Sequence, residues 1–314
     1  MHSDAFALLC RLYVGRRLLA FALMVLISLM TSVPRDARAQ QTWNNNNSSK
    51  NWSNNFSPST WNVSDWCANP DGLLVFDTAG SGDVTNNMTD WLNFNGLVFN
   101  SGAAAFTNSG NSIGLTNNGS IPKIENNSTA TQTISLNNIS LKNVSEFNAI
   151  NGDLVFNTAN VYLDNDLRFW GDNGKTNWMN TVIANGGTLA IQQNNTVVFQ
   201  KTNTYTGQTY IHAGQLIISN DARAGTGNIN LGATNLAGAS ATNALYLGTS
   251  GSSGGVTNTN AIFINSGGGA STLGGNNTAG INTFSGPVTL NQGVTLSSAS
   301  GGTLLFSGDI SGSG

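Results

Sequence analysis

Apolar side chains arrive along this chain in short bursts, separated by polar stretches rich in Asn and Gly. In Thr209-Tyr210-Ile211-His212-Ala213 and Gln215-Leu216-Ile217-Ile218 the apolar positions recur with a period near two, and Val288-Thr289-Leu290 and Val294-Thr295-Leu296 repeat the pattern. That period places alternate side chains on opposite faces of an extended strand, one face inward and one toward water. Gly and Asn are poor in helix interiors and good in turns, whereas Thr, Val and Ile favour strands. The pattern therefore predicts an all-β protein of short strands and turns, nearly free of helix.

Several bursts resemble one another. Gly72-Leu73-Leu74-Val75-Phe76-Asp77 is echoed by Gly96-Leu97-Val98-Phe99-Asn100, by Gly152-Asp153-Leu154-Val155-Phe156-Asn157 and by Gly302-Thr303-Leu304-Leu305-Phe306-Ser307. Their Phe residues are 23, 57 and 150 residues apart, and Phe199 follows Phe156 by 43. Those gaps lie near multiples of about 20 to 23 residues, a period that signals a solenoid. A single coil cannot bury its own apolar face, but stacked coils share hydrogen bonds above and below and close it. Inward Asn amides can ladder from coil to coil. The rival architecture is a β-sandwich, for which Asn118-Gly119, Asn151-Gly152 and Asn185-Gly186 supply hairpin signals. The recurrent bursts favour the solenoid over residues 71–314, with residues 40–70, which differ in composition, as an N-terminal cap.

The first 39 residues stand outside this pattern. Arg11, Arg16 and Arg17 precede a 16-residue apolar run from Leu18 to Val33, and Ala37-Arg38-Ala39 follows. Basic head, apolar middle and small-x-small ending read as a secretory signal peptide cut after Ala39. A retained anchor is the alternative, although a spanning helix needs about 20 apolar residues. Of the 12 basic and 15 acidic residues, 5 and 2 lie in this segment, leaving the mature part with 7 basic, 13 acidic and a net charge of −6. Such a surface repels phosphate backbones, so no nucleic-acid partner is expected. Cys67 is the one cysteine after residue 39, which leaves no internal disulfide. Only 9% of residues are charged, and apolar clusters recur throughout, which argues against disorder of the whole chain.

The segment Asn203-Thr204-Tyr205-Thr206-Gly207-Gln208-Thr209-Tyr210-Ile211-His212-Ala213-Gly214-Gln215-Leu216-Ile217-Ile218 resembles the autotransporter-associated β-strand repeat. That family's pattern is a Thr-Tyr-Thr-Gly-x-Thr strand, an apolar position and then Ala-Gly-x-Leu. Thr204, Tyr205, Thr206, Gly207, Thr209, Ile211, Ala213, Gly214 and Leu216 fall on it. Gly207 and Gly214 are expected at turns closed to other residues, with Ile211 and Leu216 pointing inward. The tail from Gly302 to Gly314 is similar to the lead-in of such a repeat. Trp43, Trp52, Trp61 and Trp66 resemble the Trp-rich start of these proteins. The half-repeat preceding Thr204 departs from the pattern around Gly186 to Val198, and one clear copy covers a minority of the chain. The resemblance implies a right-handed parallel β-helix, a passenger region displayed on a Gram-negative cell. It also implies a C-terminal outer-membrane β-barrel, which would have to follow Gly314.

Candidate chemistry is sparse. Gly251-Ser252-Ser253-Gly254-Gly255 fits the hydrolase pattern Gly-x-Ser-x-Gly, but that elbow requires a following helix and a nearby His, and His212 is the one histidine after residue 39. Asp164 and Asp166 share a face with Arg168 if their segment is extended, and Asp172 follows. Paired carboxylates suit glycoside chemistry or a weak calcium site, although two carboxylates do not fill a shell of 6–8 oxygens. No cofactor is called for. Trp43, Trp52, Trp61 and Trp66 are read as rings covering the open end of the solenoid, with sugar stacking as the rival, and Trp170 and Trp178 are assigned to neither role. Two function classes follow: a non-enzymatic structural or adhesive surface, secreted or at the outer membrane, facing host, matrix or carbohydrate; or a secreted β-helical carbohydrate-active or carbohydrate-binding protein.

Overall fold

The computed structural model describes residues 41–43, 50–52, 56–57, 72–78, 80–117, 119–171, 174–219, 222–232, 242–250, 253–266 and 269–314. The signal segment with Ala37 and Ala39, the cap residues Trp61, Trp66 and Cys67, and Asp172 lie outside the described residues. Regular structure among the described residues is built of strands, stacked into a β-solenoid whose second sheet marks ten coils.

The stacking follows from shared apolar columns. On the first sheet Leu74 pairs Leu97, then Ile124, Phe147, Phe169, Ile191, Ile211, Leu231 and Ile264, all in parallel register and all buried. Coil length along that column runs from 20 to 33 residues. A second sheet carries the inward column Val84, Asn108, Ile134, Phe156, Met179, Phe199, Ile218 and Leu247. Each fully buried aliphatic or aromatic side chain contributes about 1.5–3 kcal/mol. Inside the coils Phe147 of the first sheet stacks on Phe156 of the second at 4.4 Å and 17°.

The third side changes along the axis. A five-stranded sheet, from Leu92–Phe94 to Val182–Asn185, closes the first five coils. Thr257–Asn258, Ile281–Phe284 and Thr303–Phe306 form a three-stranded sheet in the last coils. Between them the wall contains an isolated bridge, Thr202 to Arg223, and continues the ladder by single bonds such as Thr204 N–H to Ile183 O at 2.8 Å and Thr226 N–H to Tyr205 O at 2.8 Å.

The recurring Phe bursts divide among three sheets. Phe76 and Phe99 pair in register and stack at 4.8 Å. Phe156 and Phe199 sit two coils apart with Met179 between them, which accounts for their spacing of 43. Phe156 belongs to the second sheet and Phe306 to the three-stranded one, so the gaps of 57 and 150 are not multiples of a coil. Two of the Asn-Gly signals turn corners between sheets: Asn151-Gly152 links Ser145–Ala149 of the first sheet to Leu154–Phe156 of the second, and Asn185-Gly186 lies between Val182–Asn185 of the five-stranded sheet and Leu189–Ile191 of the first. Asn118 of the third signal lies outside the described residues. Among the described residues the one antiparallel pairing is that of Gln41–Trp43 with Phe56–Ser57. Gln41–Trp43 extends the first sheet beside Leu73–Phe76, and Trp52 is buried with its ring edge-on to Phe94 at 5.9 Å. At the other end Leu296 and Ile310, which continue the inward columns of Leu273 and Val288, are 57% and 54% exposed.

Candidate functional site on the second sheet

Alternation gives the second sheet an outward column as regular as its inward one. Val155, Trp178, Val198, Ile217, Tyr246 and Gly274 follow one another in register over six coils. Beside them run Thr176, Thr196, Gln215, Ala244 and Thr272. Strand pairing fixes both columns, so a flat strip of rings and aliphatic groups lies against a row of hydroxyls and an amide.

Local contacts set the rings. The indole N–H of Trp178 donates to Asp153 Oδ2 at 3.3 Å, and Asp153 Oδ1 accepts the Thr176 N–H at 3.0 Å. That anchors the indole toward the preceding coil. Val198 is 2% exposed although it faces outward, flanked in register by Trp178 and Ile217. Tyr246 lies on Gly274: a methyl group there would stand 2.4 Å from its Cδ1 and Cε1. The missing side chain thus makes room for the Cδ1–Cε1 edge of the phenol ring, and Tyr246 as a whole is half-buried. Gln215 Nε2 donates to Thr196 Oγ1 at 2.8 Å, fixing two of the polar groups.

A groove of about 360 Å³ opens beside this strip, lined among others by Asn194, Thr196, Gln215, Thr242, Tyr246 and Thr272. Asn195 and Asn243 border it from the inward face of the same strands, 0% and 1% exposed, and Gly214, at φ 77°, stands between them in the stack. Half-buried rings, hydroxyls and amides can hold a ligand by stacking and hydrogen bonding.

Comparison with protein-family models, with curated proteins and with solved structures found no match to this chain.

The residues singled out in the sequence lie elsewhere. Tyr205 is fully buried, its hydroxyl 2.6 Å from Thr209 Oγ1, and burial pushes its pKa up to about 12. Thr204 and Thr206 are exposed, while Ile211, Ala213 and Leu216 are buried. Gly214 has the positive φ expected of a turn glycine, but Gly207 does not. Its constraint is contact, since a methyl group there would lie 2.2 Å from Gly187 O. His212 stacks on Tyr210 at 5.7 Å, and Ser253 lies in an exposed stretch whose neighbours Gly251 and Ser252 are outside the described residues.

Asp164 and Asp166 do not share one strand. Asn160–Leu163 ends before Asp164, a bend follows, and Leu167–Gly171 begins after Asp166. Asp164 accepts from Ser140 Oγ at 2.5 Å, Lys142 Nζ at 2.8 Å and Asn185 Nδ2 at 2.7 Å. Partial burial works to raise its pKa, but these donors outweigh it and the net shift is downward. Asp166 Oδ1 accepts the Thr188 N–H at 3.0 Å and so ties adjacent coils. Among the described residues no group of three His, Cys, Asp or Glu side chains is placed to hold a metal ion.

Trp178, Gln215 and Tyr246 carry the strip, and sequence reading left Trp178 undecided and passed over the other two. The alternation around each is visible in the sequence. Their alignment is not, because consecutive members are separated by 23, 20, 19 and 29 residues.

Proposed function

We propose that this chain is an exported, non-enzymatic structural and adhesive β-solenoid, a passenger region displayed at the surface of a Gram-negative cell. The observation that carries the reading is the continuous axial stack, which presents a flat outward strip over six coils of one sheet. A solenoid of neighbour-stabilised coils suits both roles, because it is long, stiff and able to fold progressively from one end. The signal-like segment before Gln40 and the resemblance of Thr204 to Leu216 to the autotransporter-associated repeat support the export half of the proposal. In this reading Tyr205 and Gly207 serve folding: the ring fills the wall where the five-stranded sheet ends, and the glycine lets coils approach.

Expression of the whole chain in a Gram-negative host tests the export half. Terminal sequencing of the accumulated protein should find Gln40 at the N-terminus, and the product should leave the cytoplasm. An unprocessed product retained in the cytoplasm would sink the proposal. The rival class, a carbohydrate-active enzyme working through Asp164 and Asp166, predicts polysaccharide cleavage lost on Asp164→Ala.

A further inference from the structure

The outward strip of the second sheet has a chemistry narrower than general adhesion. We infer that it binds a neutral, extended oligosaccharide lying along the solenoid axis, with sugar rings on Trp178 and Tyr246 and hydroxyls bonded to Thr196, Gln215 and Thr272. The inference does not rest on the chain's location, since it concerns the purified molecule.

Geometry comes first. Successive coils advance by about 4.8 Å, close to the length of one pyranose unit in an extended β-linked chain. Trp178 and Tyr246 stand three coils apart in one column, about 14 Å on that spacing. The two aromatic side chains are thereby set somewhat less than three sugar units from each other. The Cδ1–Cε1 edge of Tyr246 occupies the space left by the missing side chain of Gly274, and Trp178 is held by Asp153. A ring held in place beforehand stacks on the C–H face of a sugar with little ordering cost.

The polar groups select the class. Among the described residues lining the groove none is charged, and most carry a hydroxyl or an amide. A protein partner would match an apolar patch core, whereas these donors and acceptors match a ligand made of hydroxyls. Asp153, at the Trp178 end, disfavours an anionic chain.

The test titrates the purified chain with cellohexaose, xylohexaose, maltohexaose, hexa-N-acetylchitohexaose and hexagalacturonate, using calorimetry and saturation-transfer NMR. At least one neutral hexasaccharide should saturate at millimolar concentration or below, and hexagalacturonate should bind roughly tenfold more weakly. Trp178→Ala and Tyr246→Ala should each weaken binding roughly tenfold, while Tyr210→Ala, on the first sheet, should not change it. Gly274→Ala keeps both rings but pushes Tyr246 off the backbone, so it should weaken binding with circular dichroism unchanged. Absence of saturation by every neutral hexasaccharide overturns the inference, as does affinity that ignores all three strip variants. Self-association in sedimentation equilibrium that disappears in Tyr246→Ala would assign the strip to a second copy of the chain, and overturn it too.

Discussion

Contact between coils is closest at single glycines. A methyl group on Gly207 would lie 2.2 Å from Gly187 O, and one on Gly227 would lie 2.2 Å from Gly207 O, so these residues stack where backbone meets backbone. Gly207→Ala should therefore lower the melting temperature, costing about 1–3 kcal/mol or more through overpacking. Gly293→Ala, with no atom within 4 Å of the added carbon, should stay within about 0.5 kcal/mol in the same calorimetric series. Glu125 shows how charge enters a neutral fold. Burial raises its pKa, but hydrogen bonds from Lys123, Asn127 and Asn148 outweigh that, and the net shift is downward. A carboxylate with a lowered folded pKa stabilises the fold above its unfolded value, and the gain is lost as pH falls through the folded one. Stability should thus hold down to about pH 5 and fall below about pH 4. Glu125→Gln should flatten that acid limb in pH-dependent melts.

Columns are the working unit at the scale of elements. An inward column needs side chains of matching chemistry in every coil, and Asn108 breaks the rule. It lies fully buried between Val84 and Ile134, and neither its Oδ1 nor its Nδ2 has a partner. An unsatisfied buried amide costs about 1–3 kcal/mol, so Asn108→Leu should raise the melting temperature. An unchanged or lower value would mean that the amide has a function that its surroundings do not show. Other polar residues ladder as expected from the sequence: Asn177 Nδ2 donates to Asn195 Oδ1 at 3.3 Å, and Thr158 meets Thr181 at 3.0 Å. The strand character of these elements was legible, since Ile211, Leu216 and Ile218 alternate with polar or half-buried neighbours in sequence and in space. Asp164 and Asp166 were misread because alternation was carried across a bend, where face assignment resets.

Across the whole molecule, stability should be graded along the axis. Each interior coil is paired on two sides, while the last strands are paired on one and leave Leu296 and Ile310 exposed. In a polypeptide of these 314 residues hydrogen exchange should accordingly be slowest in the coils of Phe147 to Ile218 and fastest from Val294 onward. Uniform protection from end to end would instead indicate one all-or-none unit. The change of third wall, from the five-stranded sheet to irregular backbone around Tyr205 and then to the three-stranded sheet, places the repeat-like segment at a junction. Tyr205→Phe, which removes the bond to Thr209, should cost about 1 kcal/mol. Its local effect on exchange should centre on that junction.

Strand character, turn positions and the inward or outward face of most residues were determined by the sequence alone. They depend on neighbours one or two positions apart, and backbone geometry makes that relation the same everywhere in a strand. Which outward residues become neighbours was decided only in three dimensions. Trp178 meets Val198 in register, and Tyr246 rests on Gly274, because corner turns and close-packed glycines set each coil to its own length. Coils of 19 to 29 residues along that column share no single period. The strip exists in the packing of the coils and is not visible in the spacing of the chain.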